Sequence, residues 1–389
     1  MSGARVGRVL ALAAATSLAL AACAGGGGAG GGDASTVKIG FMGDLTGEGS
    51  AIVIPPFNGA KMAIDEYNAK SPKVKIELVK YDSQGKSEQA TSLIAQAINT
   101  DKITALIGPA FSGESKAIGG TLEESKIPSI SPSATNFALA DRGWKFWHRV
   151  VANDNDQGPK IAEFLHAAKS PKKVFVLSDE QEYSVGLAET VAKTFNQKGV
   201  QVETDKFSKD ASDYSSTVTK VKSANPDLIF FGGYYAQAGR LLKALRDDNV
   251  NTLFATGDGS LDKQLISGAG EKAAEGAVIA CPCNIPSSEA SGASKTFFEN
   301  YKKSAGTDPA IYSTEGYDAA TAYIKAVEAG KTTSEDINTF LSTLSFEGVS
   351  KPIKFKPNGE PENNSIFVYK VQGGVVKLLG PSVSAKLEG

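Results

Sequence analysis

The sequence predicts an α/β protein built from two doubly wound lobes, and three observations lead there. Short apolar runs alternate almost throughout with stretches of helical periodicity, the pattern of mostly parallel sheets covered by helices. About 350 residues follow a glycine-rich segment near the start, a length suited to two domains. The chain also echoes itself. "ALIGPAFSGESKAIG" and "IFFGGYYAQAGRLLK" each read as strand, glycine loop and helix, and each precedes a strand ending in a small polar loop, "ISPSATN" and "ATGDGS". Two such lobes present these loops at the carboxyl ends of their strands, where open α/β sheets bind ligands.

The elements follow in order. Residues 1–22 carry Arg5 and Arg8 ahead of the apolar run in "VLALAAATSLALAAC", which reads as a secretory signal too short for a spanning helix. "LAAC" resembles the lipobox of bacterial lipoproteins; that resemblance implies Cys23 as the lipidated first residue of the mature chain, anchored stably by more than one acyl chain. Residues 23–35, "CAGGGGAGGGDAS", form a flexible tether. Candidate strands are "TVKIGFMGD", "VKIELVKYD", "ITALIGP", "IPSISPS", "KKVFVLSD", "DLIFFGG", "TLFATGD" and "GAVIACP". Between them, "NGAKMAIDEYNAK", "SEQATSLIAQAINT" and "AGRLLKALRDDN" repeat apolar residues at three- and four-residue spacing, so each buries one helical face on a sheet.

Composition narrows the function. Acidic and basic residues number 43 and 41, for a formal net charge of −2, and no basic stripe with interleaved aromatics marks a nucleic-acid surface. Lys169, Lys172 and Lys173 cluster at a turn and read as solvated surface. The histidines, His148 and His166, lack ligand spacing to Cys281 and Cys283, so no metal and no cofactor is expected. The two cysteines in "CPC" allow either a strained disulfide or free thiols. There is no G-x-S-x-G, and the glycine loop lacks the Lys-Ser/Thr ending of a nucleotide-phosphate loop. His148, in the strand-like "KFWHRVV", reads as a packed or edge residue rather than a base. An enzyme is therefore not expected.

Several stretches together resemble one family. "IGFMGDLTGEGS", "NGAKMAIDEYNA", "ISPSATNFALADRG", "NDQGPKIAEFL", "YSVGLAE", "FFGGYYAQAGRLLKALR", "GDGSLD" and "AAEG" occur in the order found in solute-binding proteins of branched-chain amino acid ABC transporters. The resemblance covers nearly all of the chain after the tether. It implies the type I periplasmic binding fold: two doubly wound three-layer lobes joined by three hinge crossings, here near Asn153, Cys281 and Lys351. The first lobe would comprise residues 36–153 and 283–350, and the second 154–282 and 351–389. The implied protein is an extracytoplasmic monomer tethered to the bacterial membrane, which closes on a small aliphatic amino acid and delivers it to a permease. A ligand sensor of the same fold, for amides, aromatics or other small carboxylates, is the alternative.

The resemblance also implies a site. An amino acid brings a carboxylate and an ammonium that both need partners once buried. Ser112, Ser133 and Thr135, with the Ala134 backbone, match the family's carboxylate-binding positions; Ser112 could equally cap the helix that follows. Asp258, between Gly257 and Gly259, matches an acid that pairs with the ammonium, assisted by Tyr234; the other reading is a turn aspartate. Tyr183 and Tyr234 match aromatics that close over the ligand. Ile52 stands where an aromatic is common, and Phe111 where leucine-type binders can carry a cysteine, whose partner in "YDSQGKSEQ" is absent as well. Ile52, Phe111 and Tyr312 are thus expected to shape the side-chain pocket, with helix-face packing the alternative for Tyr312. Ser131 reads as a turn residue before Pro132.

Overall fold

The structure, a computed structural model, describes residues 35–387; the expected signal, Cys23 and nearly all of the tether lie outside the described residues. Strands β1 (Ser35–Gly43), β2 (Val74–Asp82), β3 (Ala105–Ile107), β4 (Ser129–Ser131) and β5 (Trp147–Arg149) form one sheet in the order β2-β1-β3-β4-β5, every pair parallel. Strands β6 (Lys173–Ser178), β7 (Gln201–Lys206), β8 (Leu228–Phe231), β9 (Leu253–Thr256) and β10 (Val278–Cys281) repeat that winding as β7-β6-β8-β9-β10, again parallel. All eight strands expected from the apolar runs are among them.

The second sheet continues beyond what the apolar runs suggested. After a two-stranded ribbon, β11 (Ser345–Glu347) and β12 (Pro352–Lys354), the strands β13 (Phe367–Gln372) and β14 (Val375–Pro381) add antiparallel to the β10 edge. The turn between them is Gly373-Gly374, with φ of 62° and 75°. Two successive positive φ values are what a tight hairpin turn demands and what only glycine adopts freely.

Helices α1 (Ser50–Asn68), α2 (Ser87–Gln96) and α3 (Ser112–Glu124) follow the first three strands, and α4 (Asp154–Lys169), α5 (Glu182–Gln197), α6 (Ser215–Ala224), α7 (Tyr235–Asp247), α8 (Lys263–Ala269) and α9 (Glu271–Ala274) belong to the second lobe. The chain then returns to the first lobe with α10 (Gly292–Ala305), α11 (Ser313–Glu328) and α12 (Ser334–Leu341), where α11 packs along α1. Every residue of β8 is buried, and α7 buries Leu241, Leu242 and Leu245 from one face. A strand covered on both sides has no polar face, so its sequence is a continuous apolar run. Each such side chain contributes about 1.5–3 kcal/mol by leaving water. His148, on the edge strand β5, is packed: its ring lies 5.0 Å from that of Phe355, and burial lowers its pKa to about 4.

Three passages join the lobes: between β5 and α4, between β10 and α10, and between β12 and β13, the last a few residues beyond Lys351. Cys281 and Cys283 form a disulfide at the second passage, which resolves the choice left open by "CPC". In each sheet the winding reverses direction, between β1 and β3 and between β6 and β8. The loops leaving those strands diverge and leave room for a ligand. Among the described residues no helix is long and apolar enough to cross a membrane.

Candidate functional site

The first lobe contributes the loop after β4 and the start of α3. Ser112 is the first residue of α3 rather than its cap, because Phe111 occupies the cap position with extended backbone. The cap's own N–H is met from within the helix, by Glu114 Oε2 at 3.2 Å. Ser112 Oγ accepts the Asn136 N–H at 3.1 Å, which leaves the Ser112 hydroxyl proton to donate. Thr135 is fully buried, and its hydroxyl oxygen makes no hydrogen bond. Ser133 and Ala134 are already engaged within the first lobe: Ser133 Oγ donates to the Ala110 carbonyl of the loop after β3 at 2.7 Å, and the Ala134 N–H donates to Ser131 Oγ at 3.0 Å. Ser131, read from the sequence as a turn residue, also donates to the Pro109 carbonyl at 2.6 Å. It ties the loop after β4 to the loop after β3.

Arg149, fully buried at the end of β5, fixes the same loop from beneath. Its Nη1 donates to the carbonyls of Ala134 and Asn136 at 2.8 and 2.9 Å, and its Nε donates to Glu360 Oε1 at 2.9 Å. Asn153 Nδ2 donates to the other oxygen of Glu360 at 2.8 Å. Two of the three passages are therefore joined to the loop by one buried charge pair.

The second lobe contributes Asp258, just after β9. It is buried, and Oδ1 accepts from Gln157 Nε2 at 2.6 Å and from the Tyr183 hydroxyl at 2.8 Å, while Oδ2 accepts from the Tyr312 hydroxyl at 2.6 Å. Tyr312 reaches it from the first lobe, so its hydroxyl meets Asp258 in addition to any packing on a helix face. The glycines on either side of Asp258 have a steric reason. A Cβ at Gly257 would fall 2.6 Å from the Tyr183 hydroxyl, and one at Gly259 would fall 2.8 Å from the Tyr183 ring. Both must be small for the tyrosine to reach the carboxylate.

Burial raises the pKa of Asp258, and the three side-chain hydrogen bonds oppose the rise. Burial also holds Tyr183, Tyr234 and Tyr312 well above the ordinary tyrosine value, so the hydroxyls of Tyr183 and Tyr312 keep the protons they donate to Asp258. Tyr234 contributes its ring, 5.0 Å from that of Tyr183 and 5.2 Å from that of Phe111 across the lobes. Those three aromatics border a cavity of about 420 Å³, a size suited to a small molecule. A second of about 90 Å³ lies beside Phe111 and Gly49. Ile52 lies in the first turn of α1 within the core and borders neither.

Further contacts draw the lobes together. Lys116 Nζ lies 2.8 Å from Glu182 Oε2, Arg240 Nη1 lies 2.8 Å from Glu48 Oε1, and the Tyr235 hydroxyl donates to the Glu48 carbonyl. Asn136 Nδ2 donates to the Glu182 carbonyl at 2.7 Å.

Sequence reasoning passed over Asp154 and Gln157, both fully buried. They lie in "NDNDQG" at the start of α4, where acids are commonplace because they favour the helix dipole. Only their burial sets them apart. Among the described residues no group of three or more His, Cys, Asp or Glu could hold a metal ion.

A family model described as periplasmic binding protein matches residues 36–375. The leucine-, isoleucine-, valine-, threonine- and alanine-binding protein of Pseudomonas aeruginosa is 27% identical over 341 residues, 87% of this chain and 90% of that one. A leucine-binding protein of Thermotoga maritima superposes with a TM-score of 0.82 at 31% identity, over 89% of this chain and 98% of that one. A branched-chain amino acid transporter substrate-binding protein of Streptococcus pneumoniae, solved with isoleucine, gives 0.80 at 26% identity, over 89% and 100%.

Proposed function

The chain belongs to the periplasmic binding protein family, and from that premise we propose that it is the extracytoplasmic solute-binding component of an ABC importer, capturing a small aliphatic amino acid by closure of two lobes. One arrangement carries this reading. The second lobe carries a buried carboxylate, Asp258, after β9, and the first lobe carries the buried hydroxyls of Ser112 and Thr135 at the start of α3 and after β4. Acceptors on one side and donors on the other suit a zwitterion, whose two charges each need a partner when water is excluded. In this reading Ser112 and Thr135 donate to the ligand's carboxylate, with Ser133 and Ala134 shaping their loop. Asp258 receives the ammonium. Phe111, Tyr183 and Tyr234 cover the ligand, and Phe111, through its place beside both cavities, sets which side chain fits. The relatives named for leucine, isoleucine and valine support an aliphatic ligand.

The finer parts of the reading rest on the leader. Residues 1–22 would be the signal and Cys23 the lipidated residue, so that a glycine tether holds a monomeric body above the membrane within reach of the permease. The protein acts as a binder and not as an enzyme, in keeping with relatives named as binding proteins.

A thermal-shift panel of the twenty amino acids, amides, short peptides and sugars tests this. A ligand at a hundred times its dissociation constant adds about 2.7 kcal/mol, which raises the melting temperature by a few degrees. Leucine, isoleucine or valine should produce such a shift, and Asp258→Ala should abolish it while leaving unfolding cooperative. If all three fail and only an amide or an aromatic carboxylate succeeds, the amino-acid assignment is wrong.

A further inference from the structure

The second passage carries a covalent bond that the fold around it does not require. Cys281 ends β10 in the second sheet, opposite Phe367 of β13, and after Cys283 the chain heads for α10 of the first lobe. The disulfide between them encloses a single residue, Pro282. Cross-links stabilise a fold chiefly by closing long loops of the unfolded chain, and a bridge around one residue gains least from that. Its effect is local instead. With the φ of Pro282 already fixed by its own ring, the bond holds the backbone from Cys281 to Cys283 at the point where the lobes turn against each other.

The neighbours tie this short ring to both lobes. Lys351 Nζ, beside β12, donates to the Pro282 carbonyl at 3.1 Å and lies 3.4 Å from Glu315 Oε1 on α11, a pair almost wholly buried. Glu315 is about one turn along α11 from Tyr312, the residue whose hydroxyl meets Asp258. From the second lobe, the Tyr369 hydroxyl donates to the Cys283 carbonyl at 3.1 Å and accepts the Ile285 N–H at 3.0 Å. The carbonyls of Pro282 and Cys283 are thus bonded one to each lobe while Tyr312 and Asp258 are joined across the cleft, so the bridged passage has the form it takes when the lobes are shut. Both cysteines are buried. A groove of about 810 Å³ between the lobes reaches the passage at Ile285, Pro286 and Tyr369, and parting the lobes would open the bridge from that side.

We propose that the Cys281–Cys283 disulfide is a redox-sensitive clasp on the hinge: oxidised, it holds the second passage in its closed-lobe form, and reduction by a dithiol frees that passage and loosens the grip on ligand. The inference rests on the lobe-closure reading above. In the reduction, one thiolate of the dithiol attacks one sulfur of the bridge, forming a mixed disulfide and expelling the other cysteine as a thiolate, which takes a proton. The second thiolate of the reductant then attacks the mixed disulfide. Two electrons have passed to the protein, which keeps two cysteine thiols, and the reductant leaves as its own disulfide. In an extracytoplasmic compartment the bridged form is the resting one. Freeing the backbone of even one residue in the open form weakens binding roughly five- to thirtyfold. Coupling of this kind is reciprocal, so bound ligand opposes reduction by the same factor.

Calorimetry with L-leucine and L-isoleucine tests the clasp on the full chain, oxidised and after dithiothreitol, and on the Cys281→Ser/Cys283→Ser variant. Reduced wild type and the variant should both bind roughly five- to thirtyfold more weakly than the oxidised protein, and the variant should not respond to dithiothreitol. Equal affinities for oxidised and reduced wild type, with thiol titration showing that the bridge was cleaved, overturn the proposal; so does a variant that responds to dithiothreitol as the wild type does. Should the variant fail to fold, the wild-type comparison decides alone, with cooperative unfolding checked on the reduced protein. Where no aliphatic amino acid binds the oxidised protein, the amino-acid reading fails and small-angle scattering without ligand decides the clasp: the radius of gyration should grow on reduction, and equal radii overturn it.

Discussion

Glu114 shows how a single residue behind the site can set the protein's response to pH. It is fully buried at the start of α3, accepts from Ser83 Oγ and from the Phe111 N–H, and has its pKa raised by burial to about 7 from an ordinary 4.5. Asp44 and Asp82 push in the same direction. Because the folded value lies above the unfolded one, the folded state favours the protonated acid. That stabilisation is complete below about pH 4.5 and is lost as the pH rises through 7. Asp318, raised to about 6 by burial, adds a loss of the same sign. Glu114→Gln should remove its share of the decline, flattening unfolding free energy against pH by up to about 1.4 kcal/mol per unit between 4.5 and 7. Chemical denaturation across that range measures it, and an unchanged slope would contradict the assignment. At this scale the sequence was legible where a residue type was unusual for its place, as with Asp258 between two glycines. It was silent on Glu114 and Asp154, since an acid in the first turn of a helix looks ordinary until its burial is known.

At the scale of elements, the loop after β4 takes its shape from contacts outside itself. Arg149 and Glu360 are separated by 211 positions in the chain, yet their charged groups are almost wholly buried against each other. Neutralising one partner leaves the other as an unpaired buried charge, which costs about 3–5 kcal/mol. Glu360→Gln should therefore lower the denaturant midpoint strongly. Lys126→Ala, which breaks the exposed pair with Glu335, should change stability by less than about 1 kcal/mol. Similar losses for the two variants would mean that the buried pair does not brace the loop. The sequence could not announce this pair, because Arg149 lies in an apolar run and Glu360 in a polar turn far away. The β13–β14 hairpin is different. Gly373-Gly374 between two apolar-rich runs is a hairpin signal that was present and not used.

At the scale of the whole molecule, the lobes meet through a few polar contacts. Lys116–Glu182 and Arg240–Glu48 involve exposed or partly exposed side chains, and pairs of that kind contribute at most about 1 kcal/mol each. Those two ion pairs add little to closure beside the buried Tyr312–Asp258 hydrogen bond and the Phe111–Tyr234 ring contact, and a ligand bridging Ser112 and Thr135 to Asp258 should shift the population further toward the closed form. Small-angle scattering should give a smaller radius of gyration at saturating ligand than without it, and Asp258→Ala should show no such change. Equal radii for the wild-type protein in both conditions would refute hinge closure. The sequence by itself determined the two α/β lobes, the order of eight core strands and the glycine loops at their carboxyl ends, because strand and helix periodicity are local consequences of which face is buried. Only the tertiary structure decided that Tyr312 reaches Asp258 across the lobes, that Arg149 braces the loop through Glu360, and that Asp154 and Gln157 line up with Asp258. These depend on which polar groups lose water together, and that is a property of packing between distant segments rather than of any stretch of chain.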